Sequence, residues 1–133
     1  MAPENSRRRS RADRRRNPRE QTPPDLVIKT QVKKKNLLVW VENPIVTTNR
    51  FTLKNAIEKV LSIAANESTK INRIIINMEK VPYADSSAMG MFLELHKEFN
   101  EKGISFILFR VQPRLKEIME IVNVHRILDV RDH

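Results

Sequence analysis

Ile74, Ile75 and Ile76 form an unbroken β-branched run, and shortly after it Asp85 and Ser86 open a segment of helical period. Three consecutive isoleucines within Ile71 to Met78 predict a strand at the centre of a sheet, apolar on both of its faces. The segment beyond carries Met89, Phe92, Leu95, His96 and Phe99 at three- and four-residue spacing, with Asp85 and Ser86 as N-cap residues and Gly103 as the stop. A buried strand that feeds such a helix through the short link Val81 to Ala84 restricts the chain to layered α/β folds, because the helix stripe has to lie back on the sheet.

The remaining elements fit that layer. Leu26 to Val32 and Leu37 to Glu42 predict two strands joined at Lys33-Lys34-Lys35-Asn36, a hairpin with a charged tip, which Asn43-Pro44 ends. Phe51, Leu53, Ile57, Val60, Leu61 and Ala64 form a helical stripe that Thr48 or Asn49 can cap. Ile104 to Phe109 predicts a strand, and Pro113 opens a third helix whose apolar side is Leu115, Ile118, Met119 and Val122. A short strand through Ile127 to Val130 completes the order ββαβαβαβ. The fold class is therefore α/β, a mixed β-sheet partly covered by helices, in one domain over residues 26–133; 40% hydrophobic residues in a 133-residue chain suffice for one such core.

The formal charge of +9 is unevenly placed. Residues 1–25 hold eight arginines against Glu4, Asp13, Glu20 and Asp25, with almost no large apolar residue after Met1. Such a segment cannot bury enough surface to offset its ordering entropy, so residues 1–25 are expected to form a disordered arm. Arg7, Arg8 and Arg9 with Arg14, Arg15 and Arg16 would attract nucleic acid or an acidic surface weakly and without sequence preference, or act only as a solubilising tail. The absence of cysteine excludes disulfides, thiol catalysis and cysteine-ligated zinc, and His96, His125 and His133 show no metal-ligand spacing. No metal or other cofactor is expected. No apolar run is long enough for a membrane span and no secretory signal is visible, so a cytoplasmic protein is expected.

The strand-turn-helix segment Ile74 to Leu93, with Asp85-Ser86-Ser87-Ala88 at its centre, resembles the STAS domain of bacterial anti-sigma factor antagonists. The likeness extends over roughly residues 26–130. It rests on an apolar strand, a short link and an Asp-Ser-Ser-Gly helix start, in which Ala88 stands here for the glycine. The resemblance implies partner switching. Unphosphorylated protein binds an anti-sigma factor that is also a serine kinase, and phosphorylation of the first serine, Ser86, releases it. A PP2C-type phosphatase resets the switch. Asp85, Ser87, Ala88, Met89, Met91 and Phe92 lie near Ser86 in the chain and are expected at the partner surface, with Asp85 orienting the site. The family commonly has Gly-Glu-Leu-Asp after the second strand, where this chain has Asn43-Pro44-Ile45-Val46, so Val46 replaces a carboxylate.

Physical chemistry gives this switch a mechanism. A phosphate adds about −1.5 to −2 charge and three strong acceptors. At a helix start the amides of Ser87, Ala88 and Met89 and the positive dipole end would tolerate it, whereas a partner packed over the site would not. Asp85 and Ser86 are also what a helix start needs for capping alone. An enzyme is not expected: Asp85 adjoins Ser86, His96 lies about 15 Å along the helix at 1.5 Å per residue, and no glycine-rich phosphate cradle is present. A constitutive STAS-type adaptor in a transporter or stress assembly is the alternative to a phosphorylated regulator.

Overall fold

The computed structural model describes residues 25–132, so the arginine arm falls outside the described residues except for Asp25. Five strands form one sheet in sequential order: β1 (Val27–Lys33), β2 (Asn36–Glu42), β3 (Arg73–Lys80), β4 (Ser105–Phe109) and β5 (Asp129–Arg131). β1 is antiparallel to β2, which leaves the two-residue turn Lys34-Lys35 as its link, and every other pair is parallel. Parallel neighbours need crossovers. These are the helices α1 (Arg50–Asn66), α2 (Ser86–Glu101) and α3 (Pro113–Ile121), with a 3-10 turn at Val124–Arg126 before β5.

β3 occupies the middle of the sheet, as its isoleucine run requires. It is not covered on both faces. A sheet that grows in one direction by crossovers of one hand carries its helices on one side, and burial follows that rule. Leu37, Val39 and Val41 of β2, Ile74, Ile76 and Met78 of β3, and Phe106 and Leu108 of β4 are buried with the helices. Ile75 points the other way and is only half-buried.

Each helix places its stripe on that core. Leu53, Ile57 and Ala64 of α1 are buried, with Val60 and Leu61 partly so. Phe51, expected in the stripe, is 51% exposed and lies 4.3 Å beneath the Arg50 guanidinium. It precedes the first turn's inward position, Leu53, and so faces out. Asn49 is the N-cap of α1 by position, but its side chain folds the preceding loop instead: Oδ1 accepts from the Val46 amide at 2.8 Å and Nδ2 donates to the Pro44 carbonyl at 3.0 Å. In α3, Leu115 and Met119 are buried, while Val122 lies past the helix end and is exposed. The last strand begins at Asp129 because Ile127 is exposed beside the 3-10 turn. Helix α2 ends as its glycine predicts: Gly103 takes φ +76°, the Ile104 amide donates to the Phe99 carbonyl and the Gly103 amide to the Asn100 carbonyl.

Candidate functional site

The start of α2 is held from outside its own helix. After β2 the chain runs alongside Val81 to Asp85: the Asn43 amide donates to the Lys80 carbonyl, the Ile45 amide to Tyr83 and the Asp85 amide to Ile45. Ile45 and Ala84 form an isolated parallel bridge, and both side chains are buried. The segment Asn43 to Val46, in which the carboxylate of the resembled family is missing, is thus the neighbour that fixes where Asp85 sits.

Asp85 joins the two segments. As N-cap, with extended backbone, its Oδ1 accepts from the Ala88 amide at 2.9 Å. Its Oδ2 accepts from the Thr47 amide at 2.9 Å and from Thr47 Oγ1 at 3.0 Å. Thr47 has one hydroxyl proton and gives it to the carboxylate, so across the 3.0 Å contact between Thr47 Oγ1 and Ser87 Oγ the serine is the donor. Burial pushes the Asp85 carboxyl up, but the hydrogen bonds from Ala88, Thr47 and the Ser87 amide together outweigh it, and the group lies below its ordinary value. Arg50 donates to the Thr47 carbonyl at 2.8 Å, which places a cation one residue away from this cluster.

The two adjacent serines are thereby separated in kind. Ser87 is half-buried and tied to Thr47, whereas Ser86 is exposed and no hydrogen bond among the described residues engages its hydroxyl. The expectation of three free amides at Ser87, Ala88 and Met89 is corrected. The Asp85 carboxylate takes Ala88 and leans on Ser87, and the Asp85 carbonyl takes Met89. A group added at Ser86 Oγ would meet water, the positive end of the helix and the neighbouring Asp85 charge.

Three of the residues expected at a partner surface, Ala88, Met91 and Phe92, lie in the interior, and Met89 shows only an edge to the groove beside Ser86. Ala88 and Phe92 are fully buried, and Met89 and Met91 nearly so. The reason is that α2 contacts α1 as well as β4, and these residues stand on the sides that face them. What remains open on the Ser86 side follows helical geometry: Gly90 and Leu93, at i+4 and i+7, stand on the same face. With Tyr83, Met89, Ile118 and Val122 they line a groove of about 380 Å³ between α2 and α3 that has Ser86 at one end. An added Cβ at Gly90 would meet nothing within 4 Å. Counting forward from Ser86 by helical period would have found Gly90 and Leu93 in the sequence. Tyr83, Ile118 and Val122 come from other elements, and no sequence signal connects them to Ser86.

Among the described residues that line the groove at Ser86 there is no histidine. His96 lies in a separate hollow with Leu93, Lys97 and Ile127. Among the described residues no three His, Asp or Glu side chains gather to hold a metal ion. No helix among them is long and apolar enough to cross a membrane.

The model of the STAS domain family matches residues 27–133. An anti-sigma factor antagonist from Mycobacterium paratuberculosis superposes with TM-score 0.64 at 13% identity, over 82% of this chain and 87% of that one. The Bacillus anti-sigma factor antagonist SpoIIAA in its unphosphorylated form gives 0.58 at 15% identity, over 80% and 90%. The murine solute carrier 26 member A9 anion transporter gives 0.56 at 14% identity, over 68% of this chain but only 14% of the transporter. At such identities the likeness to these structures is one of fold.

Proposed function

The chain belongs to the STAS domain family, and from that premise we propose that it is an anti-sigma factor antagonist-like regulator that works by partner switching at Ser86. In the unphosphorylated state it binds an anti-sigma factor that is also a serine kinase; phosphorylation at Ser86 releases it, and a PP2C-type phosphatase restores binding. The observation that carries this reading is the inequality of the two serines: Ser86 is exposed and unengaged at the end of the α2–α3 groove, while Ser87 is held by Thr47. A kinase needs an accessible hydroxyl, and a partner seated in the groove needs that hydroxyl uncharged.

Phosphopeptide mass spectrometry on the chain from its own cells, in growing and stressed cultures with phosphatases blocked, is expected to find phosphate at Ser86 with condition-dependent occupancy and none at Ser87. A peptide covered in every condition and never modified would move the assignment to a constitutive adaptor in a larger assembly. That second reading draws on the likeness to a transporter of which the matched region is a small part.

Gly90 separates folding from binding at the same surface. Alanine at this solvent-facing helical position meets no neighbour and gains helix propensity, so Gly90→Ala is expected to raise stability by about 1 kcal/mol in urea denaturation. If the partner's backbone approaches the groove at Gly90, the same methyl weakens binding. Stabilisation together with unchanged capture of the partner would place the contact away from Gly90.

A further inference from the structure

The face of the sheet opposite the helices is a second recognition surface, and we propose that it receives an acidic amphipathic helix from a partner protein. Along that face Leu38, Trp40, Ile75 and Phe109 floor a trough of about 530 Å³. Trp40 is 38% exposed, and the other three are half-buried with no element above them among the described residues. The helices among the described residues lie on the other side. An apolar floor of this kind loses water favourably when a helix lies across it, as helices do on sheet faces throughout α/β folds.

Charge selects the occupant. Arg73 stands at one end of the trough and Arg110 and Arg131 at the other. Arg131 is paired with Asp129 and Arg110 with Glu79, while Arg73 has no side-chain partner among the described residues. Lys29 lies on the same face through its pairing with Trp40, and Lys33 through its pairing with Asn36; they too have no ion-pair partner among the described residues. A second copy would bring its own Arg73, Lys29 and Lys33 against these, since the carboxylates on its face, Glu42, Glu79 and Asp129, are already paired with Lys80, Arg110 and Arg131, and the arginine-rich segment of residues 1–24 would bring further cations. A carboxylate-bearing partner is favoured over both.

The strand register sets the spacing. Arg73 pairs with Ser105, and four residues further along β3 Asn77 pairs with Phe109, which is opposite Arg131. At about 3.3 Å per residue along the strand, and about 4.8 Å per strand across the two steps from β3 to β5, Arg73 and Arg131 are about 16 Å apart. A helix rising 1.5 Å per residue matches them with carboxylates about eleven residues apart, which three turns bring back to the same face, and apolar side chains between. A trough, unlike a protruding patch, suits a helix of about 10 Å diameter better than a flat bilayer.

Trp40 is the only tryptophan of the chain, so its fluorescence reports on this face directly. The full chain is titrated with a designed helix carrying Glu at positions eleven apart on its leucine face, with the same helix bearing Lys for Glu, and with vesicles of anionic phospholipid. The expected result is a saturable blue shift with the acidic helix alone, weakened about tenfold or more by Arg73→Glu and unchanged by Ser86→Asp. Backbone amide shifts should map the contact to Leu38, Ile75 and Phe109. No shift with the acidic helix, equal response to the basic helix or to vesicles, a contact mapped to the α2–α3 groove, or a concentration-dependent shift of the chain alone would each overturn the proposal; the last would assign the face to a second copy.

Discussion

Replacing Asp85 by alanine is expected to lower the stability of the domain by about 2–3 kcal/mol, more than any other single change at the exposed site. The substitution removes the cap of α2 at Ala88 and, at the same time, the acceptor of both the Thr47 amide and the Thr47 hydroxyl. Loss of an N-cap alone is worth about 1 kcal/mol, and hydrogen bonds to a charged acceptor about 1.5–3 kcal/mol each, reduced here by partial solvent access. The thermal midpoint should fall by on the order of 10 °C. Asp85→Asn keeps the shape and one acceptor oxygen and should lose about half as much. The pH dependence has a definite sign. Because the folded carboxyl lies below its ordinary value of 3.8, its contribution is complete above that value and disappears as pH falls through the lower folded value. Denaturation from pH 6 to pH 3 should therefore show the wild type and Asp85→Ala converging as acid is added; curves that stay parallel would mean that Asp85 stabilises by packing and not by its charge.

That network was partly legible in the sequence. Asp85 as N-cap, the strand before it and the glycine stop after it all follow from local rules, because capping, β-branching and positive φ act within a few residues. Thr47 was not legible. Its contact with Asp85 spans 38 residues and depends on the bridge between Ile45 and Ala84, which only the parallel pairing of β2 and β3 creates. The same limit explains Phe51 and Ile75. A stripe or an isoleucine run identifies apolar positions but not how many faces the tertiary structure covers, and a sheet built in sequential order covers one. It also explains Met91 and Phe92: their nearness to Ser86 in the chain suggested a shared surface, whereas helical rotation turns them into the core and leaves Gly90 and Leu93 beside the serine.

Thr47 also bears on the missing carboxylate at Val46. A side chain that bridges the loop after β2 to the cap of α2 means that a change on either strand-to-helix link is felt on the other. Where the resembled family has an acidic residue after β2 this chain has Val46, and the next residue, Thr47, supplies hydrogen bonds to Asp85, with Arg50 on the Thr47 carbonyl. A phosphate at Ser86 would face the Asp85 carboxylate, which already occupies the Ala88 amide, and the modified domain is expected to fold because the positive end of the helix offsets part of that repulsion.

Phosphate at Ser86 is expected to abolish partner binding while leaving the fold intact. The position is exposed, at the first turn of α2, where a negative charge is favoured by the helix dipole and opposed by Asp85; the two effects are of similar size, so Ser86→Asp should shift unfolding stability by no more than about 0.5 kcal/mol. At the interface nothing offsets the charge. A partner closing over Ser86, Gly90 and Leu93 would strip a hydrated dianion beside Asp85, and burying an unpaired charge costs about 2–5 kcal/mol, a rise in Kd between about 30-fold and several thousand-fold. The measurement is calorimetric titration of the kinase recovered from the protein's own cells with the unmodified chain, the Ser86-phosphorylated chain, Ser86→Ala and Ser86→Asp. Ser86→Ala should bind as the unmodified chain does, and the two charged forms should not. Leu93→Glu places a carboxylate in the groove without touching the acceptor hydroxyl and should reproduce the loss. If Ser86→Asp binds normally while Leu93→Glu does not, the groove is the interface but Ser86 is not its switch; if both bind normally, the partner sits elsewhere and the proposed mechanism fails.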